Sequence, residues 1–172
     1  MRLNTDNISK IAYVIVLLSV LIWFTAIILP AFWQSQGNLI AAFVLRKIFA
    51  SLCHQKAERA FFLWGYPLAV CARCTGIYLG IVLGSVIYPL IRNYRRSDVP
   101  ATKYLIIALS PTTIDFLLKI FHIWENTHLS RAITGIIAGI AIAFYVVPAI
   151  VSLLLDLSKV FGKNKGVFYG SK

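Results

Sequence analysis

The chain has 172 residues, 59% of them hydrophobic and 13% charged, where a soluble domain carries about 25% charged residues. That composition excludes a soluble globule, and it excludes disorder, which needs low hydrophobicity and dense charge; an all-α integral membrane protein remains. Seventeen Lys and Arg against six Asp and Glu give a net charge of +11, but cytoplasmic loops of membrane proteins collect basic residues, so the expected partner is the lipid bilayer and not nucleic acid.

Residues 11–33 are about 23 apolar residues without a charge, longer than the roughly 30 Å hydrocarbon core requires. The run is too long for the apolar part of a cleaved signal peptide. Residues 38–52 are apolar again, but Arg46 and Lys47 interrupt a stretch too short to cross, which reads as an interfacial or half-inserted helix. A polar knot from Cys53 to Arg59 and an aromatic stretch through Trp64 and Tyr66 lead to Cys71-Ala-Arg-Cys74. Three further spans are expected at residues 74–90, 102–121 and 131–155, followed by a basic tail at 156–172. The whole is one membrane domain, 1–172, with four transmembrane helices. Four spans place both termini on one side. Arg2, Lys10, Arg92, Arg95, Arg96, Lys103 and the tail lysines make that side cytoplasmic, and residues 53–74 and 115–131 extracytoplasmic.

Cys53-His54 and Cys71-x-x-Cys74 offer three thiolates and one imidazole, the ligand count of a closed tetrahedral zinc site. If residues 53–59 are helical, His54 and Glu58 share a face, and a carboxylate there can hold the second nitrogen of a metal-bound His. The same cysteines are also compatible with a disulfide or redox pair, or with inert buried thiols.

The third span carries charge where lipid disfavours it. Thr112, Asp115, Lys119 and His122 fall on one helical stripe, with Asp115 about 9 Å inside the expected boundary at Phe121. An ionisable group at that depth needs a partner and marks a functional site or a structural ion pair. Arg131 opens the fourth span against the sign of the helix dipole, so it needs an acid or an anion, unless it snorkels to the interface. Asp115 and Glu125 are the acids within reach. Gly76, Gly80 and Gly84 on the second span, and Gly135, Gly139 and Ala143 on the fourth, repeat every four residues and let backbones approach in lipid. Both spans run inward. If the two ladders meet, Cys74 and Arg131 start at the same height, and the cysteines join the Asp115 stripe.

Cys53-His-Gln55, Arg59, Cys71-Ala-Arg-Cys-Thr-Gly-Ile-Tyr78, Gly80, Asp115 and Arg131-x-x-Thr134-Gly135 together resemble a prokaryotic membrane-protein family catalogued as domain of unknown function 2085. The resemblance covers roughly residues 50–139 and implies no activity, so function rests on the residues themselves. They point to a metal site on Cys53, His54, Cys71 and Cys74, with zinc as the expected metal and iron as the other. Beside it lies a polar pocket of Glu58, Arg59, Asp115 and Arg131. In that pocket the two arginines take a small anionic ligand or lipid head group, and Asp115 serves as base or counter-ion. Two other readings stand beside it: a membrane thiol-disulfide oxidoreductase using Cys71 and Cys74, and an oligomeric transporter subunit with the Asp115 stripe along its pathway.

Overall fold

A computed structural model describes residues 5–92, 99–121 and 127–167. It is mostly helical: α1 (Thr5–Ser35), α2 (Leu39–Ala50), a 3-10 turn (Ala57–Arg59), β1 (Ala60–Leu63), β2 (Tyr66–Cys71), α3 (Ala72–Ile91), α4 (Thr102–Ile120) and α5 (His128–Val167). Among the described residues, three helices are long and apolar enough to cross a membrane: Asn7–Ser35, Ala72–Ile91 and His128–Ser158. α4 is not among them, having Lys103, Asp115 and Lys119 within its 19 residues. The helix of α5 also continues past residue 155, so the expected basic tail is helical as far as Val167.

Many large side chains in these helices face outward while alanines and glycines are covered, with Tyr88, Phe49 and Ile27 as buried exceptions. Ile22, Leu90, Ile106 and Ile107 are exposed, whereas Ala12, Ala31, Ala138 and Ala143 are covered. This inside-out pattern suits helices in lipid, where contact comes from close backbone approach and not from a hydrophobic drive. The two glycine ladders meet as expected. A Cβ on Gly76 would lie 2.3 Å from the Ala132 carbonyl oxygen, one on Gly80 2.3 Å from that of Ile136, and one on Gly84 2.7 Å from the Ala143 Cβ. Rising numbers on α3 meet rising numbers on α5, so the two helices are parallel.

α4 runs back along α5. The Tyr145 hydroxyl donates to the Ala101 carbonyl just before α4 begins (2.8 Å), the Thr112 hydroxyl donates to the Thr134 carbonyl (2.9 Å), and Ser130 donates to Asp115 (2.9 Å). α1 is antiparallel to α3. Its first half meets the end of α3, where the Tyr13 hydroxyl donates to the Ser85 carbonyl (3.0 Å), and its second half meets the cysteine end through Ile27 and Ala31.

The chain turns from α1 into α2 through Gly37, whose φ of +78° suits a residue without Cβ. Asn38 N–H reaches back to the Trp33 carbonyl (2.9 Å) and Gly37 N–H to that of Gln34 (3.1 Å), a Schellman ending. The Asn38 side chain then caps α2 at Ala41 N–H (3.2 Å).

The all-α expectation needs one correction. Residues 60–71 form a two-stranded antiparallel hairpin closed by Trp64-Gly65, both with positive φ, at +52° and +79°. That backbone matches the twist of the flanking strands, as in type I′ turns. β2 buries Leu68, Ala69 and Val70 against Ile27, Ala31 and Phe49.

The α3–α5 contact is open to test. Gly80→Ala and Gly139→Ala should each cost about 1–3 kcal/mol by overpacking, read as a lower thermal midpoint in detergent. Leu90→Ala, at an 83% exposed position, should change stability by no more than about 0.5 kcal/mol. Unchanged midpoints for both glycine variants would mean that the two helices do not touch.

Candidate metal centre

Cys53 follows the end of α2, Cys71 ends β2 and caps α3, and Cys74 lies in the first turn of α3. Their three Sγ atoms lie within 4.8 Å of one another and are free thiols. Tetrahedral zinc with Zn–S of about 2.3 Å places sulfurs about 3.8 Å apart, so the group is close enough to hold a metal ion between its members. Backbone geometry supports a charged sulfur at Cys53, where the Cys71 N–H donates to Sγ (3.3 Å). The Cys53 thiol is held well below the usual thiol range, chiefly through hydrogen bonding with the side chains of Cys71 and Cys74, then by the backbone N–H groups of Cys71 and Gln55, against the opposing effect of burial.

Gln55 explains the third residue of Cys-His-Gln. Its side-chain amide donates to the Arg46 carbonyl at the end of α2 (2.7 Å) and to the Ala69 carbonyl in β2 (2.8 Å). It ties the Cys53 segment to the strand that delivers Cys71, with its own φ at +50°. Arg46 reinforces the same junction by donating to the Pro67 carbonyl and to Gln34 Oε1. Gln55 and Arg46 do structural work that their sequence context did not reveal.

His54, expected as the fourth ligand, is exposed and stands outside the sulfur group. Residues 53–56 are not helical, so Cys53 turns inward and its neighbour turns out. The expected His54–Glu58 face does not form for the same reason. Glu58 is exposed and pairs with Arg59 at 3.6 Å, and its carbonyl accepts from Nε2–H of His128 (3.0 Å), docking the 3-10 turn on the start of α5.

Asp115 is buried, at 8% exposure. Among the described residues it forms an ion pair with Arg73, between Cys71 and Cys74, rather than with Arg131, one of the two partners the sequence suggested. Ser130 donates to its other oxygen. Arg73 also stands 6.0 Å from the Phe116 ring. The signal for Arg73 was present: a cation in the first turn of a helix opposes the dipole and needs an acid, the argument that drew attention to Arg131. Of the other residues in the expected stripe, Thr112 faces α5, while the Lys119 side chain and His122 lie outside the described residues, as does Glu125, the other acid considered for Arg131.

Between these parts lies a cavity of about 110 Å³ lined by Arg59, Cys71, Arg73, Phe116 and Arg131. Arg59 and Arg131 thus share a wall with Cys71, whereas Glu58 does not line it. Among the described residues, no ion pair engages Arg131.

A helical bundle with apolar outward faces, and a sulfur group beside a paired buried aspartate at one end, defines a multi-pass membrane protein with a potential metal centre. Residues 53–145 match the family described as "Predicted membrane protein (DUF2085)", and the chain belongs to that family. It is 38% identical over 141 residues to an uncharacterised protein of Methanocaldococcus jannaschii, covering 79% of this chain and 90% of that one. It is 37% identical over 98 residues to another of Methanothermobacter thermautotrophicus, covering 55% of this chain and 84% of that one. No solved structure matches.

The Arg73–Asp115 pair gives a stability prediction. Asp115→Ala leaves the guanidinium without its acid and should cost about 3–5 kcal/mol, whereas the double change Arg73→Met with Asp115→Leu should regain most of the loss. Chemical denaturation of the three proteins in detergent reads this directly, and an unaffected Asp115→Ala would remove the pair from the account.

Proposed function

We propose that this is a four-span membrane protein whose extracytoplasmic end holds a zinc ion on Cys53, Cys71 and Cys74, beside a pocket that takes a small anionic group on Arg59 and Arg131. The observation that carries this reading is the position of Cys71, which belongs to the sulfur group and to the arginine-lined cavity. Thiolate donors favour zinc over magnesium or calcium, with iron as the competitor. Asp115 acts as counter-ion, fixing Arg73 at the cavity wall. The anionic group is a free oxyanion or the head group of a lipid, since the cavity lies at the end of the apolar helices.

Topology supports α4 as the fourth span. α3 and α5 are parallel, so two crossings in the same direction require the chain to return between them, and α4 is the helix that runs back along α5. Nineteen residues give about 28 Å of helix. Its charge at Asp115 is neutralised within the bundle by Arg73. Arg46 and Arg73 at the cysteine end are bound to protein groups, which supports reading Lys10 and Lys103 at the other end as part of the cytoplasmic bias.

Purified protein should contain about one zinc per chain by elemental analysis. Cys53→Ser, Cys71→Ser and Cys74→Ser should each lower it to background, while His54→Ala should keep it. Metal-free protein with a trapped Cys71–Cys74 disulfide would replace this reading with the thiol-disulfide oxidoreductase. For topology, a fluorescent reporter fused after residue 172 should be active in the cytoplasm, and one inserted at Gly65 should not. The reverse pattern would invert the orientation.

A further inference from the structure

We infer that the sulfur centre keeps one coordination position for an external ligand, and that this ligand is a small oxyanion, a phosphate or carboxylate group, held against the metal by Arg59 and Arg131. The inference rests on the metal reading above and gives its pocket a chemical task.

Donor count is the first argument. Structural zinc sites are closed by four protein ligands, whereas sites that bind or transform an outside molecule have three and leave one position open. Among the described residues the group here has three donors, and the imidazole adjacent in sequence is exposed and outside it. The second argument is place. Cys71 belongs to the sulfur group and also lines the cavity, so the arginine-lined space adjoins a residue of the centre. The third is size. At about 110 Å³ the cavity exceeds a single water's share of roughly 30 Å³ and falls well short of the 300 Å³ or so at which drug-sized pockets begin. It suits one small polar group.

Charge then selects the kind of group. Three thiolates around a divalent ion carry a net charge of −1. The cavity wall carries three guanidinium groups, and one of them, Arg73, is neutralised by Asp115. Arg59 has only the exposed Glu58 at 3.6 Å, and Arg131 has no ion pair among the described residues. Arg59 and Arg131 therefore present guanidinium groups to the cavity, and the acid near Arg59, Glu58, is exposed and does not line it. An anion can accept hydrogen bonds from both, which a neutral water matches less well. Guanidinium forks also match the spacing of oxygens in carboxylate and phosphate, which gives the pocket its selectivity for an oxyanion.

Cobalt(II) in place of zinc makes the coordination visible through its ligand-field bands. The full chain, loaded with one cobalt in detergent, would be titrated with inorganic phosphate and with acetate. In parallel it would be reconstituted in zwitterionic nanodiscs with and without phosphatidylglycerol. A saturable spectral shift with free anion, or with the anionic lipid alone, is the expected result and identifies which source supplies the group. Arg59→Gln and Arg131→Gln should each weaken that response about tenfold or more while cobalt remains stoichiometric. Arg131→Lys should recover part of it, and His54→Ala should leave it unchanged. A spectrum that ignores every anion, but changes in His122→Ala or Tyr78→Phe, would assign the fourth position to the protein and overturn the inference with the metal centre intact. So would a shift that persists in both glutamine variants. Failure to bind cobalt or zinc at all would instead remove the metal reading itself.

Discussion

The backbone contact between α3 and α5 is the constraint on which the rest of the molecule depends. In lipid no hydrophobic force drives two helices together, so association needs close approach, and glycine allows it. Here the approach is tight enough that a single Cβ at Gly80 would strike a carbonyl of the facing helix. The contact is also parallel, which brings the first turns of α3 and α5 to one level. Cys71, Arg73 and Cys74 therefore lie beside Ser130 and Arg131, although more than fifty residues separate them in the chain.

A parallel pair obliges the intervening chain to come back, and the same obligation places Asp115. α4 must run against α5, and in doing so it sets Asp115 opposite Ser130 and within reach of Arg73. A carboxylate that would be costly on a lone lipid-facing helix becomes the anchor that fastens α4 to the other two. α4 is not among the helices long and apolar enough to cross because it carries Lys103, Asp115 and Lys119, of which Asp115 is buried and paired with Arg73.

Much of the architecture was legible in the sequence because its signals were local and periodic. The uncharged run of α1, the two glycine ladders and the gathering of three cysteines could be read from spacing. The hairpin could not. Its turn is Trp64-Gly65 without the usual Asn or Asp, Pro67 sits inside its second strand, and Leu68-Ala-Val70 is buried without alternation. His54 stands apart for a different reason. Residue types suggest ligands, but side chains of adjacent residues diverge, so Cys53 is buried in the sulfur group while His54 is exposed. Arg73 was overlooked because it stands between two cysteines that dominate the reading of that segment.

Arg73 is also the residue through which membrane architecture and site chemistry become a single problem. Its position in the chain ties it to the two cysteines on either side, and its guanidinium ties it to α4. The first turn of α3, which presents sulfur to the centre, is consequently held from three sides: by the N–H of Cys71 on Cys53, by β2 through the Gln55 amide, and by Asp115 through Arg73. If α4 shifts relative to α3 and α5, the pair must open or carry the first turn of α3 with it, and the spacing of the sulfurs changes in either case. The placement of α4 against α3 and α5 and the geometry of the sulfur group are thus coupled through one buried ion pair. Occupancy of the centre should in turn favour the arrangement of the bundle in which that pair is closed.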